Sequence, residues 1–449
     1  MALVVVAGTL GSPARAEQIR IPAEFWTSRD FLNDFVGSYG FATDIEPRIT
    51  AEEQKVLKDI EELVQKDPAT AATRLRAAVT DQSSAALDFI LGQLHLQMGN
   101  HAGAITEYKK ALRKFPNFRR AEKSMAIAYI QEDKPEEAVK ALTRTVELGG
   151  EDGNTYGLLG YCYLAVDKFL SAEAAYRKAM LFAPDNADWK LGLARCLLAA
   201  QRSREAVALF EELIQKDPEK ADYWLLQANA FLELAEYSNA ARNYEILRRM
   251  GKATGASLMA LGDIYTNEDL KDLALDAYLA SLQKEPNQDL KRPLQAVEIM
   301  TNRQAWDQAS KLLAQINAIA KSRMKDEERR RALKLESKIA LAVGDDKAAV
   351  RTLEELIRRD PLDGEAMLLL AGYYGRTGEI EHAELLYERA TKLRDYEANA
   401  LVLHAQLLVQ QSKYEKAVRL LQQAQQIRPR ENVAEYLDQV ERLARASAL

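Results

Sequence analysis

Of the residue types that hold metals tightly or pair as nucleophile and base, the chain offers four histidines and two cysteines. His95 and His404 fall at packing positions of helical segments, His101 at a turn and His382 near a helix start. No H-x-x-x-H pair and no clustered Cys/His spacing is present, so the sequence predicts no metal site. Gly-x-Ser-x-Gly and glycine-rich phosphate loops are also missing. Carboxylates are plentiful, but they are spread over helix surfaces, where pairing with Lys and Arg accounts for them. The expectation is a chain with no catalytic residues, no cofactor and no metal.

The elements that carry these residues repeat. In the stretch Gly153 to Pro184, Tyr156, Leu159, Gly160 and Tyr163 share one face of a first helix. Ala172, Tyr176 and Ala179 make the inward face of a second, which Pro184 ends. Counting in steps of 34, the small residue recurs as Ala104, Ala138, Ala172, Ala206, Ala240 and Ala274. Four places later come Tyr108, Leu142, Tyr176, Phe210, Tyr244 and Tyr278. The step stretches at Ala309 and Ala349, then returns to 34 at Ala383 and Ala417. From about Ala85 to Pro429 the chain resembles the tetratricopeptide repeat (TPR) family, whose period is 34 residues. That resemblance implies an all-α, right-handed superhelix of about eleven helical-hairpin repeats, closed by a C-terminal capping helix.

Composition agrees with such an array. A 29% share of charged residues suits solvated helices, and a net charge of -6 argues against nucleic acid as partner. After the N-terminus no apolar run is long enough to span a bilayer. Residues 1–16 read as a signal peptide: Ala2 to Leu10 is a short apolar run, and Ala14-Arg15-Ala16 makes an A-x-A cleavage site. No basic stretch precedes it, which leaves the true start codon open; the other reading is a buried or disordered tail. Cleavage would place the mature chain in the periplasm of a Gram-negative bacterium. An exported protein with two cysteines invites a disulfide. Cys162 and Cys196, however, hold one place in adjacent repeats, where stacked helices lie about 8–10 Å apart, too far for an unstrained bridge.

Residues 17–48 fall outside the repeat and form an aromatic-rich arm with Phe25, Trp26, Phe31, Phe35 and Tyr39. The arm either folds back over the first repeat or docks onto a partner. Residues 49–289 form the N-terminal block of the array, opening with a degenerate repeat from Thr50 to about Thr80. Residues 290–330 read as an irregular hinge, because the phase slips there and Pro293 interrupts a first helix. The adjacent run Arg329, Arg330 and Arg331 reads as a solvated face, with an acidic partner as the alternative. Residues 331–431 resume the array, and 432–449 form the capping helix.

Family analogy places a concave face on fixed positions of each first helix. Here those positions hold Phe89, Ile127, Ile130, Tyr161, Leu164 and Leu191, then Leu198, Leu225, Leu232, Met259, Leu368 and Val402. Arg195 is interleaved with them, as are Lys123, Asp263, Lys338 and Arg376. The family's Lys/Asn clamp for C-terminal carboxylates is absent; only Asn229 stands among these apolar neighbours. An apolar groove suits an amphipathic helix or an extended peptide with hydrophobic anchors. Plain packing of these leucines, or the arm lying in the groove, are the other readings. The arm leading into an array is similar to exported TPR proteins that accompany Ton-type energy-transduction systems. This implies a non-catalytic periplasmic adaptor in an envelope protein complex. Scaffolding of exopolysaccharide export or outer-membrane assembly, or regulation of an enzyme, are the alternatives.

Overall fold

The structure is a computed structural model that describes residues 44–447 apart from residue 321. The expected signal peptide and the arm residues Phe25, Trp26, Phe31, Phe35 and Tyr39 lie outside the described residues. The described elements are 23 helices, from Ala51–Lys66 to Glu431–Ser447, which succeed one another as eleven hairpins and a final single helix. The chain is an all-α solenoid of repeats.

Within each hairpin the small residue brings two backbones together. Ala104, Ala138, Ala172, Ala206, Ala240 and Ala274 are wholly buried, as are the large side chains four places on. Where that side chain is tyrosine, the facing first helix can make room with glycine. A Cβ added to Gly92, Gly160 or Gly262 would stand 2.5, 2.8 or 2.4 Å from the rings of Tyr108, Tyr176 and Tyr278. Cys162 and Cys196 are buried free thiols in the same layer. Burial pushes their pKa values up to about 12 and about 11.

From the second hairpin on, the turn inside the hairpin is also periodic. Gly99, Asp133, Asp167, Gln201, Ala235 and Asp269 all have positive φ, and so do Gln304, Gly344, Gly378 and Ser412. At the first of these turns the Gly99 N–H donates to Leu96 O (3.0 Å) and the Asn100 N–H to His95 O (2.8 Å). That is the Schellman closure, which satisfies the last carbonyls of one helix while reversing the chain.

The stretch expected to be irregular is more regular than its spacing suggests. Lys291–Asn302 and Trp306–Ala320 make an ordinary hairpin. Pro293 does not interrupt its first helix: it sits in the first turn, where no N–H partner is lost. Extra length goes instead into Asp326–Val343, an 18-residue helix where most first helices have 13 or 14. Its arginine run ties hairpins together, with Arg331 reaching Glu298 at 2.5 Å and Arg330 reaching Asp360 at 3.1 Å.

By contact the described chain divides into two compact units, one ending at Leu247 and the other beginning at Arg248. In the second, Val433 and Val440 of the last helix are buried against Ala405, Leu408, Ala417 and Leu421.

Candidate functional site

First helices begin at Ala85, Arg119, Gly153, Ala187 and Ala221 in the unit that ends at Leu247, where residues at equal offsets line up along one face, and at Gly255 in the other unit. The offset after the small residue holds Gln93, Ile127, Tyr161, Arg195, Asn229 and Asp263. Its polar members serve the second helix. The Tyr108, Tyr244 and Tyr278 hydroxyls donate to Gln93 Oε1 (2.6 Å), Asn229 Oδ1 (2.8 Å) and Asp263 Oδ1 (2.9 Å). A buried phenol thus finds its acceptor fifteen residues back, and Asn229 is engaged in the fold. Arg292 of the next hairpin also bonds Asp263, at 2.9 Å. Burial still pushes the Asp263 carboxyl above its ordinary range, against the charge of Arg292 and the hydrogen bond from Tyr278. Lys123 pairs with Asp152 (2.8 Å) and Lys338 with Asn302 (2.8 Å); Arg376 is exposed.

The residues assigned to the partner face, with the interleaved Arg195, separate into two groups, Val402 being half-buried. Phe89, Ile130, Leu164, Met259 and Leu368 are buried and belong to the packing. Phe89 shows why: its ring lies against Tyr108 and Phe118, and the Arg120 guanidinium covers it at 5.2 Å. Met259 joins a core with Leu290 and Leu294, and Leu368 one with Leu353 and Tyr387. Ile127, Tyr161, Leu191, Arg195, Leu198, Leu225 and Leu232 remain half-buried, six of them carrying apolar or aromatic surface. The last four leucines hold matched places in two successive first helices, Ala187–Ala199 and Ala221–Glu233. They form a ladder of apolar steps within the unit that ends at Leu247.

The histidines stay apart. His95 meets Asn100, His101 meets Glu132, His382 meets Glu379, and His404 stacks on Tyr387. Burial lowers the pKa of His95 and His404. Among the described residues no group of three His, Cys, Asp or Glu side chains could hold a metal. No described helix is long and apolar enough to cross a membrane.

Two features carried no signal in the sequence. One is the pair Glu46–Arg120, whose members are far apart along the chain: Glu46 is buried, with Arg120 Nε at 2.7 Å. The other is a cavity of about 440 Å³ where the second helices Asp346–Arg359 and Ile380–Ala390 meet the first helix Gly364–Thr377, in the unit beginning at Arg248. Ile357, Leu370 and Leu386 line it together with Tyr374, His382 and Arg389.

Comparison with known proteins agrees with the repeat. Two family profiles described as tetratricopeptide repeat match residues 95–160 and 163–230, and residues 60–117, 225–289 and 335–400. The chain is 24% identical over 160 residues to the tetratricopeptide repeat-containing protein trd-1 of Caenorhabditis elegans. It is 29% identical over 98 residues to the general transcriptional corepressor trfA of Dictyostelium discoideum. These matches take in 35% and 22% of this chain, and only 21% and 7% of those proteins. A solved structure, YrrB, described as a TPR protein with an unusual peptide-binding site, is 17% identical with a TM-score of 0.39. That similarity covers 42% of this chain and 97% of YrrB.

Proposed function

The chain belongs to the tetratricopeptide repeat family, and from that premise we propose that it is a non-catalytic scaffold whose first-helix face binds a protein partner. TPR arrays bind peptides or proteins, which makes the coarse role a protein–protein interaction scaffold. The observation that carries the finer reading is the ladder Leu191, Leu198, Leu225 and Leu232. These are half-exposed leucines repeated at one interval on successive helices. A regular apolar ladder fits a partner with regularly spaced anchors, an amphipathic helix or an extended strand.

We place this scaffold in the periplasm of a Gram-negative bacterium, as an adaptor in a Ton-type transport assembly. Support for the location is the A-x-A pattern at Ala14 to Ala16, and for the assembly the aromatic run between Phe25 and Tyr39. Exopolysaccharide export, outer-membrane assembly and regulation of an enzyme are the competing roles, each separable by what co-purifies.

The test is affinity capture from the envelope fraction, comparing the native chain with Leu198→Asp and Leu232→Asp. Each variant is expected to keep its helicity and melting temperature while partner affinity falls tenfold or more, about 1.4 kcal/mol. A large fall in melting temperature would show that these leucines hold the fold. Capture of cytoplasmic proteins by a chain whose mass still includes residues 1–16 would refute the envelope location.

A further inference from the structure

Among the described residues Leu170 and Leu181 are the most exposed large apolar side chains, at 83% and 79%. Both stand on the second helix Phe169–Phe182, in the unit that ends at Leu247. Leu170, Ala174, Arg177 and Leu181 follow one another at the spacing of a single helix face, and all four are exposed. Ala172, Tyr176 and Ala179 hold the opposite face in the core. The hairpin packs without the two leucines.

The helix is nearly symmetric about its middle. From one end it reads Phe169-Leu170-Ser171-Ala172, and from the other Phe182-Leu181-Met180-Ala179. Its edges carry opposite charge. On one side of the exposed stripe Glu173 meets Arg202 of the next hairpin, which also holds Glu205 at 2.7 Å. On the other side Lys178 lies over the Tyr156 ring at 4.5 Å, with the Glu151 carboxylate 3.9 Å away. Glu173 and Lys178 are equidistant from the middle of the helix.

We propose that this helix is a self-association surface, on which two copies of the chain pair antiparallel about a two-fold axis between Ala174 and Arg177. Such an interface is isologous: the same patch serves both copies. The axis sets Leu170 of each copy beside Leu181 of the other, and Lys178 of each opposite the edge that holds Glu173 and Glu205. Ala174, small and central, lets the two helices approach closely. Arg177 is tied to its own Glu173 at 2.8 Å and covers the contact with its hydrocarbon stem. An interface centred on one helix is small, so the dimer is in reversible equilibrium with the monomer. It is built on second helices and leaves the first-helix leucine ladder uncovered. The proposal therefore stands or falls apart from the reading of that ladder.

The test is sedimentation equilibrium of the purified full chain over a concentration series. The native chain is expected to follow a monomer–dimer equilibrium, and Leu181→Glu to weaken the association tenfold or more. Leu170→Glu is expected to do the same, so that misfolding of one variant leaves the other to decide; both residues are exposed, and melting temperatures are expected to match the native chain. Ala174→Cys places a thiol near the axis, and mild oxidation is expected to join two copies through it. Ala208→Cys, exposed on the next second helix, is expected to give no such product. A chain that is monomeric throughout, a dimer indifferent to both leucine variants, or a dimer with no crosslink at residue 174 would overturn the proposal. A monomer that sediments with phosphatidylglycerol vesicles only while Leu181 is present would give the patch to a lipid surface and overturn it equally.

Discussion

At Gly262 the backbone of a first helix lies against the face of a phenol that cannot easily retreat. The Tyr278 hydroxyl donates to Asp263 and meets Thr266 Oγ1 at 3.1 Å, and its ring is wholly buried. A Cβ at Gly262 would stand 2.4 Å from that ring. Alanine favours helix by about 1 kcal/mol over glycine, but overpacking of this kind costs about 1–3 kcal/mol. Gly262→Ala is therefore expected to lower stability by about 1 kcal/mol in urea unfolding. A more stable variant would show that Tyr278 shifts freely. Of these details the sequence displayed the recurring small residue and the ring. It concealed the hydroxyl's acceptor, since Gln93, Asn229 and Asp263 occupy a place read as open to partners. It also concealed the left-handed turns, because Asp133, Gln201 and Ala235 stand where only Gly99, Gly344 and Gly378 carry the usual glycine. Only the phase, not the residue type, identifies them.

Between elements, the hairpins are tied by ion pairs whose strength depends on pH. Lys123, on one first helix, bonds Asp152, whose other oxygen caps the next first helix by accepting from the Thr155 N–H at 2.7 Å. Burial alone raises the Asp152 carboxyl, but the bonds from Lys123 and Thr155 and the charge of Lys123 bring it below its ordinary value of 3.8. A carboxyl depressed on folding contributes stability that is present above 3.8 and is lost as pH falls through the folded value. Both groups are partly exposed, so the pair is worth about 0.5–1 kcal/mol. Lys123→Met is expected to lower the urea midpoint at neutral pH and to match the native chain once the pH has fallen below the folded value of Asp152. A difference that survives acid would assign the effect to the lysine's hydrocarbon stem. Asp263 has the opposite sign: burial raises its carboxyl, so its ionisation opposes folding as pH rises. Element order was legible from the period because every unit buries the same two faces. The exposure of a given place was not. Phe89 and Leu191 are equivalent by spacing, yet Phe89 is sealed by Arg120, held in turn by a glutamate 74 positions away. Contacts of that kind leave no periodic trace.

For the whole molecule, each hairpin packs chiefly on its sequence neighbours, so stability is a chain of local interfaces and the free ends are its weak points. The last helix, Glu431–Ser447, is amphipathic and contributes two wholly or nearly wholly buried residues, Val433 and Val440. Each is worth about 1.5–3 kcal/mol as burial of a valine. A chain ending at residue 430 would leave Ala405, Leu408, Ala417 and Leu421 facing water on one side. If stability is local, hydrogen exchange in that truncated chain accelerates in Glu397–Gln410 and Tyr414–Ile427, the helices that lose their cover. Exchange in Ala85–Gln97 and His101–Lys114 stays at its native rate, because their neighbours are untouched. Acceleration spread equally over all hairpins would mean that the array unfolds as one body. The additive picture would then fail, and with it the expectation that single substitutions on the leucine ladder act only where they are made.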